Sequence, residues 1–303
     1  MNIGISVQPV NMAILLFLVE RLEKFWTQNI KEISVIWEAV LVFGTIIMDS
    51  YKSDEAELMA KNIDEICSPM NSLGWASAGI YSFWDYYTKE VLYIGLASDL
   101  CIRFKQHNGL MPIAENACKV RQIQDYFSEH ERLGYSILVQ SPMSQPIVHR
   151  NKMLYRDLLE DNKGMPIQKY IGEEGLENIR QAEGQLIESY RLIMGDIPPW
   201  NKIGGDMFSR KYASENNYSY VVSAFSSGTP DNFLVARSTI RELAENNTYE
   251  WFESQLHGLR MMMLAMRMSF KEALDFQMRF NPYFEEQWNL IISVKYLDKE
   301  LII

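Results

Sequence analysis

Cysteine is nearly absent. Three residues in 303, Cys67, Cys101 and Cys118, are odd in number and show no CxxC spacing. That excludes a disulfide framework and a paired-thiolate metal site, and it suits a reducing compartment. Surplus positive charge is missing too. Lys and Arg number 29 against 39 Asp and Glu, a formal net charge of −10. The chain as a whole therefore has no attraction for nucleic acid or an anionic membrane, and any polyanion must be met by a local patch or a bound cation. Long apolar runs are lacking as well. "AILLFLV" (13–19) and "ISVIWEAVLVFGTII" (33–47), the second broken by Glu38, are both too short to span a bilayer. No basic stretch at the start reads as a leader, and there is no internal repeat or low-complexity tract. These absences describe a soluble cytoplasmic protein with no membrane span.

What is present is an apolar fraction of 48 %, enough for a globular chain with two or three cored parts. Residues 1–75 read as a helical N-terminal region. "MAILLFLVERLEKFW" and "EISVIWEAVLVFGTIIM" are apolar helices, and "SDEAELMAKNIDEI" is a helix with Ser53 as its N-cap. After the turn-rich "SPMNSLG", residues 76–210 change pattern. Two short strands lie within "GIYSFWDYYTKEVLYIG" (79–95). Helices follow over about 98–107 and 113–132, then a strand over Tyr135–Gln140, a helical stretch around 147–161 and a helix over about 175–194. Residues 215–303 read as mostly helical. Ser269 and Glu272 form a capping box, the methionine-rich 259–280 stretch fills a core, and the final "LIISVKYLDKELII" has the look of a hairpin. Two helices with a short link in this region could also form a DNA-reading helix-turn-helix.

Four groups of residues carry chemistry. Tyr81 and Tyr93 each stand beside a glycine in paired strands, where both rings can share one face, and Gly79 and Gly95 mark close backbone approach. In "SDLCIRFKQH" the helical spacing puts Leu100, Arg103, Phe104 and His107 on one side. In the 175–194 helix, Ile179, Ala182, Leu186, Ile187, Tyr190, Ile193 and Met194 form an apolar stripe. Glu183 sits near its middle, while Glu177 and Glu188 fall on the solvated face; a carboxylate in that position needs a partner or a metal. Asn201 follows "IPPW", where prolines fix the backbone, and it either caps a turn or serves the site.

Taken together, GIY (79–81), YIG (93–95), Arg103, His107, Glu183 and Asn201 resemble the GIY-YIG nuclease family over about residues 76–206. The resemblance implies an α+β fold around a three-stranded antiparallel sheet, flanked by helices and set between the helical N- and C-terminal regions. It also implies metal-dependent hydrolysis of DNA phosphodiesters. Glu183 would hold one Mg²⁺ (or Mn²⁺), an oxygen-seeking cation that stabilises the developing charge and the leaving oxygen. Arg103 would grip a phosphate. A tyrosine could take the proton of the attacking water if nearby cations lowered its pKa; Tyr81 is the expected base, with Tyr93 orienting water or phosphate. His107 would relay a proton or bind phosphate, and Asn201 would fix Glu183 or the loop around it. Substrate contacts are expected from His149, Arg150 and Lys152 and from Lys202, Arg210 and Lys211. A restriction-like or defence endonuclease acting on DNA is the expectation. The alternatives are a catalytically silent module of the same fold for DNA binding or assembly, and an RNA-directed nuclease. The terminal helices could pair two copies or bind a protein partner.

Overall fold

A computed structural model of the chain describes residues 43–68, 74–112, 119–142, 144–153, 173–229, 231–281 and 283–303. The helix expected at 12–26 and most of the 147–161 stretch lie outside them.

"FGTIIMDSY" is apolar and β-branched at its centre, and it forms strand β1 (Phe43–Tyr51), buried along its whole length. The reading of this stretch as the end of an apolar helix is therefore corrected. A 3₁₀ turn over Ser53–Glu55 leads into α1 (Ala56–Cys67). Ser53 lies inside that turn and caps nothing; Glu55 takes up the Lys52 backbone N–H instead (3.0 Å). Next come β2 (Gly79–Asp85), β3 (Val91–Ala97), α2 (Leu100–His107), α3 (Val120–Glu129) and β4 (Leu133–Gln140). Asp99 caps α2 by accepting the Ile102 N–H at 2.9 Å. The long helix α4 (Glu173–Met194) follows, and after short helical turns over 215–225 come α5 (Ile240–Glu245), α6 (Asn247–Met266), α7 (Phe270–Phe280) and α8 (Phe284–Ser293). The Ser269–Glu272 capping box opens α7 as expected, and Met262, Met263 and Met266 pack with Phe284 in a methionine-rich core. Residues 290–303 form no hairpin: α8 takes the first four, and Tyr296–Asp298 make a 3₁₀ turn. None of the described helices is long and apolar enough to cross a membrane.

The molecule is mixed α/β. Its antiparallel sheet has four strands rather than three, in the order β1–β4–β2–β3, because β1 pairs with β4 from Phe43↔Gln140 to Tyr51↔Leu133. Period-two alternation divides the side chains between two cores. Tyr81, Phe83, Tyr135, Ile137 and Val139 face α1, α2, α3 and α5. Ile46, Ile80, Ile94 and Leu138 face α4 and residues 221–225.

Both sheet edges are closed. Beside β1, Ile46 N–H donates to the Leu234 carbonyl and the Ala236 N–H donates to the Ile46 carbonyl, each at 2.8 Å. Along β3, the Trp200 N–H donates to the Leu92 carbonyl (2.8 Å), and the Asn201 amide takes both outward groups of Ile94 (3.0 and 2.8 Å). A buried polar knot fastens α6 to β1. Arg260 pairs with Glu253 (2.5 Å) and also donates to Thr45 Oγ1 (3.1 Å). Glu253 also accepts from Tyr296 Oη and from the Arg237 backbone (2.7 and 2.8 Å), and His257 Nδ1 accepts the Thr45 N–H (3.2 Å).

Candidate active site

The site is assembled on and around β3, the edge strand. Its register sets Tyr81 opposite Gly95, and Phe83 opposite Tyr93. The two tyrosines are therefore diagonal neighbours on one face, with ring centroids 5.7 Å apart. Gly95 makes room for them: a Cβ there would lie 2.6 Å from both Tyr81 Oη and Tyr93 Cε1. Gly79 likewise admits the Leu138 carbonyl of β4, so both motif glycines mark close approach.

Helix α2 lays Arg103 and His107 against this aromatic pair. Tyr81 Oη accepts Arg103 Nε–H (3.2 Å) and lies 2.6 Å from His107 Nε2. His107 Nδ1 accepts the Lys119 backbone N–H at 2.9 Å, so the ring proton sits on Nε2 and points at Tyr81. Burial, then the charges of Arg103 and Lys119, push the His107 pKa down to about 3. His107 is thus a neutral, fully buried donor. It stands behind Tyr81, and it is not among the residues that line the cleft.

The tyrosines do not share the cleft. Tyr81 is buried, whereas Tyr93 lines a cleft of about 850 Å³ together with Arg103, Gln106, Leu96 and Glu183. Burial raises the pKa of both phenols, outweighing the nearby cations, so the lowered pKa expected of a tyrosine base is not what this environment produces. Tyr93 is the better placed of the two because it lines the cleft; burial and the charge of Glu183 hold its pKa above the ordinary phenol value, against the downward pull of Tyr81 and Arg103. The Lys119 ammonium lies 4.7 Å from its ring centre. Lys119 escaped the sequence reading. It stands just before α3 with no local signature, and only the folded chain shows that its backbone orients His107 while its side chain covers Tyr93.

Glu183 reaches the cleft from the other face of the sheet. Helix α4 packs on that face through Ile179, Ala182, Leu186, Ile187 and Tyr190, as the stripe predicts, although Ile193 and Met194 at its end are exposed. Glu183 comes round the edge of β3 and accepts the outward N–H of Leu96. Burial lifts its pKa to about 7, against the Leu96 hydrogen bond and the charge of Arg103. Glu177 is exposed, and Glu188 is engaged by Arg191 (2.6 Å). Asn201 does not touch Glu183. It grips Ile94, two residues from Leu96 on the same outward edge, and so holds the strand that presents both Tyr93 and the Leu96 N–H.

Two of the expected substrate cations are already committed. Arg150 spans Asp64 (2.7 Å) and Asp99 (3.1 Å) at one end of the cleft, and Arg210 donates to the carbonyls of Gly204 and Gly205 (3.0 and 3.2 Å). His149, on the cleft wall, and Lys152, Lys202 and Lys211 are exposed.

Among the described residues no group of three or more His, Cys, Asp or Glu could hold a metal ion. A single carboxylate is nonetheless a fit for Mg²⁺ or Mn²⁺, which keep several waters and borrow substrate oxygens. Glu183 supplies a cleft-facing oxygen donor whose burial leaves its negative charge undercompensated. Chemically the arrangement offers one anionic oxygen ligand, one guanidinium and one phenol around a common cleft. Compared with protein-family models, with curated proteins and with solved structures, the chain matches none.

Proposed function

We propose that this chain is a divalent-metal-dependent endonuclease that hydrolyses DNA phosphodiester bonds through a GIY-YIG-like site. One observation carries the reading. Tyr93, Arg103 and Glu183, drawn from a strand and two helices on opposite sheet faces, meet at one cleft, with Tyr81 and His107 directly behind them. Arg103 neutralises charge on the phosphate. Tyr93 orients the attacking water; transfer of the water's proton to Tyr93 requires that bound substrate and cation bring its burial-raised pKa down. Tyr81 and His107 position Tyr93 and Arg103. Glu183 would hold the cation, which when bound supplies Lewis-acid stabilisation of the developing and leaving oxygens.

The test is cleavage of supercoiled plasmid with Mg²⁺ or Mn²⁺ by wild type and Glu183→Gln. Wild type is expected to nick or linearise the plasmid, and the variant to be slower by about 10²–10³-fold or more. A folded, metal-supplied wild type that binds DNA without cutting it would instead identify a silent binding module.

A further inference from the structure

The loop that follows Asn201, "KIGGDMFSRK" (202–211), presents its apolar residues outward. Ile203, Met207 and Phe208 are 73 %, 70 % and 76 % exposed. Single exposed apolar residues are ordinary, but three large ones within six positions make a patch that calls for an occupant. The loop is also braced. Arg210 is tied to the carbonyls of Gly204 and Gly205, and Asp206 accepts the Ser209 N–H at 2.7 Å while its carbonyl accepts Ser209 Oγ at 3.0 Å. Gly184 of α4 lets the loop press on the helix: a Cβ there would lie 2.6 Å from the Asp206 carbonyl oxygen and would strike Ser209 Oγ. The apolar side chains are thus held out by a stiff frame.

The charge around them is positive. Between positions 202 and 211 there are three cations against the single carboxylate of Asp206, in a chain whose net charge is −10; Arg210 is engaged by the loop's own carbonyls, and Lys202 and Lys211 are exposed. The frame begins at Asn201, which clamps β3, and rests beside Glu183 through Gly184. The loop is therefore attached to α4 and β3, two of the elements that build the cleft. Apolar wedges flanked by lysines are suited to a base step, where the wedge unstacks bases and the cations meet phosphates.

We infer that residues 202–211 form a wedge that inserts Met207 and Phe208 at a weakly stacked step of the DNA held in the cleft. The favoured substrate is accordingly duplex DNA with a bulge or mismatch beside the scissile bond. This rests on the nuclease reading above and names the substrate class of that same site.

The experiment compares a fully paired duplex with the same duplex carrying a two-nucleotide bulge, each labelled with fluorescein and with 2-aminopurine beside the bulge position. Anisotropy and 2-aminopurine emission are read in EDTA, and cleavage in Mg²⁺. Wild type is expected to prefer the bulged duplex by about tenfold and to raise 2-aminopurine emission. The double variant Met207→Ala/Phe208→Ala should lose both effects while still binding and cutting the paired duplex. Lys202→Ala/Lys211→Ala should weaken both substrates equally and lower the salt slope of binding by about 1–2. If wild type cuts plasmid but the Met207/Phe208 variant keeps its preference and its emission change, the wedge is overturned and the nuclease reading stands. If wild type neither binds nor cuts either duplex, both fall. Binding to phosphatidylserine vesicles that disappears in the Met207/Phe208 variant, with DNA binding unaltered, assigns the patch to a membrane surface and overturns the wedge.

Discussion

Glu183 and His107 respond to pH in opposite directions. Burial holds Glu183 near pKa 7, above the ordinary carboxylate. The folded state therefore keeps a proton that the unfolded chain releases, and stability declines as pH rises from about 4.5 to about 7. Glu183→Gln should accordingly be the more stable protein at pH 8, by on the order of 1–2 kcal/mol given partial solvation, and indistinguishable from wild type at pH 4.5; thermal melts at the two pH values read this. A cation bound by the ionised carboxylate pulls the same titration downward. The pH at which cleavage is half-maximal should fall as Mg²⁺ concentration rises, and a midpoint that ignores Mg²⁺ would remove Glu183 as the ligand. His107 has its pKa held near 3, so its contribution is complete above about pH 6.5 and is lost as pH falls through that value toward 3. As a donor to Tyr81 it is a positioning residue: His107→Ala should lower kcat more than it raises KM.

At the scale of elements, β3 is the organiser. Its outward groups at 92, 94 and 96 meet Trp200, Asn201 and Glu183 in turn. Asn201→Ala strips both partners from Ile94 and should cost about 1–3 kcal/mol in urea melts, with a matching loss of cleavage rate. Gly95→Ala is predicted to be harsher on activity than on stability, because its methyl group displaces the two tyrosines. A shift of about 1 Å in reacting groups costs about 10²-fold in kcat. β2, β3 and β4 were legible as short apolar runs set off by turn residues, and α2 and α4 by their 3.6 period; those elements brought Tyr81, Tyr93, Arg103, His107 and Glu183 with them, whereas β1 runs on from a longer apolar stretch. β1 was illegible: "FGTIIMDSY" is buried on both faces and has no alternation, so its period cannot distinguish a strand from the end of a helix. The partners of Asn201 and Lys119 were equally hidden, because each is met more than ten residues away and only through the sheet. Nor could residue types alone reveal that desolvation outweighs the cations around the tyrosines.

For the whole molecule, the knot of Glu253, Arg260, Tyr296 and His257 ties the C-terminal helices to β1. Glu253→Ala leaves the Arg260 guanidinium buried without its counter-charge and should cost about 3–5 kcal/mol, readable as a lower denaturation midpoint. Burial and Arg260 hold the His257 pKa near 3. Together with His107 it should make the protein lose stability as pH falls below about 6.5, each histidine removing about 1.4 kcal/mol per pH unit until its folded pKa is reached. The closed sheet edges also have a consequence in time. A ribosome completes β1 about 190 residues before it delivers the segment that covers Ile46, a delay of roughly 10–40 s at ordinary elongation rates. β3 likewise waits for Trp200 and Asn201. During synthesis the nascent sheet therefore stands with two unsatisfied flanks, and any messenger truncated before codon 200 would yield a product that keeps them, poised to polymerise with its own copies.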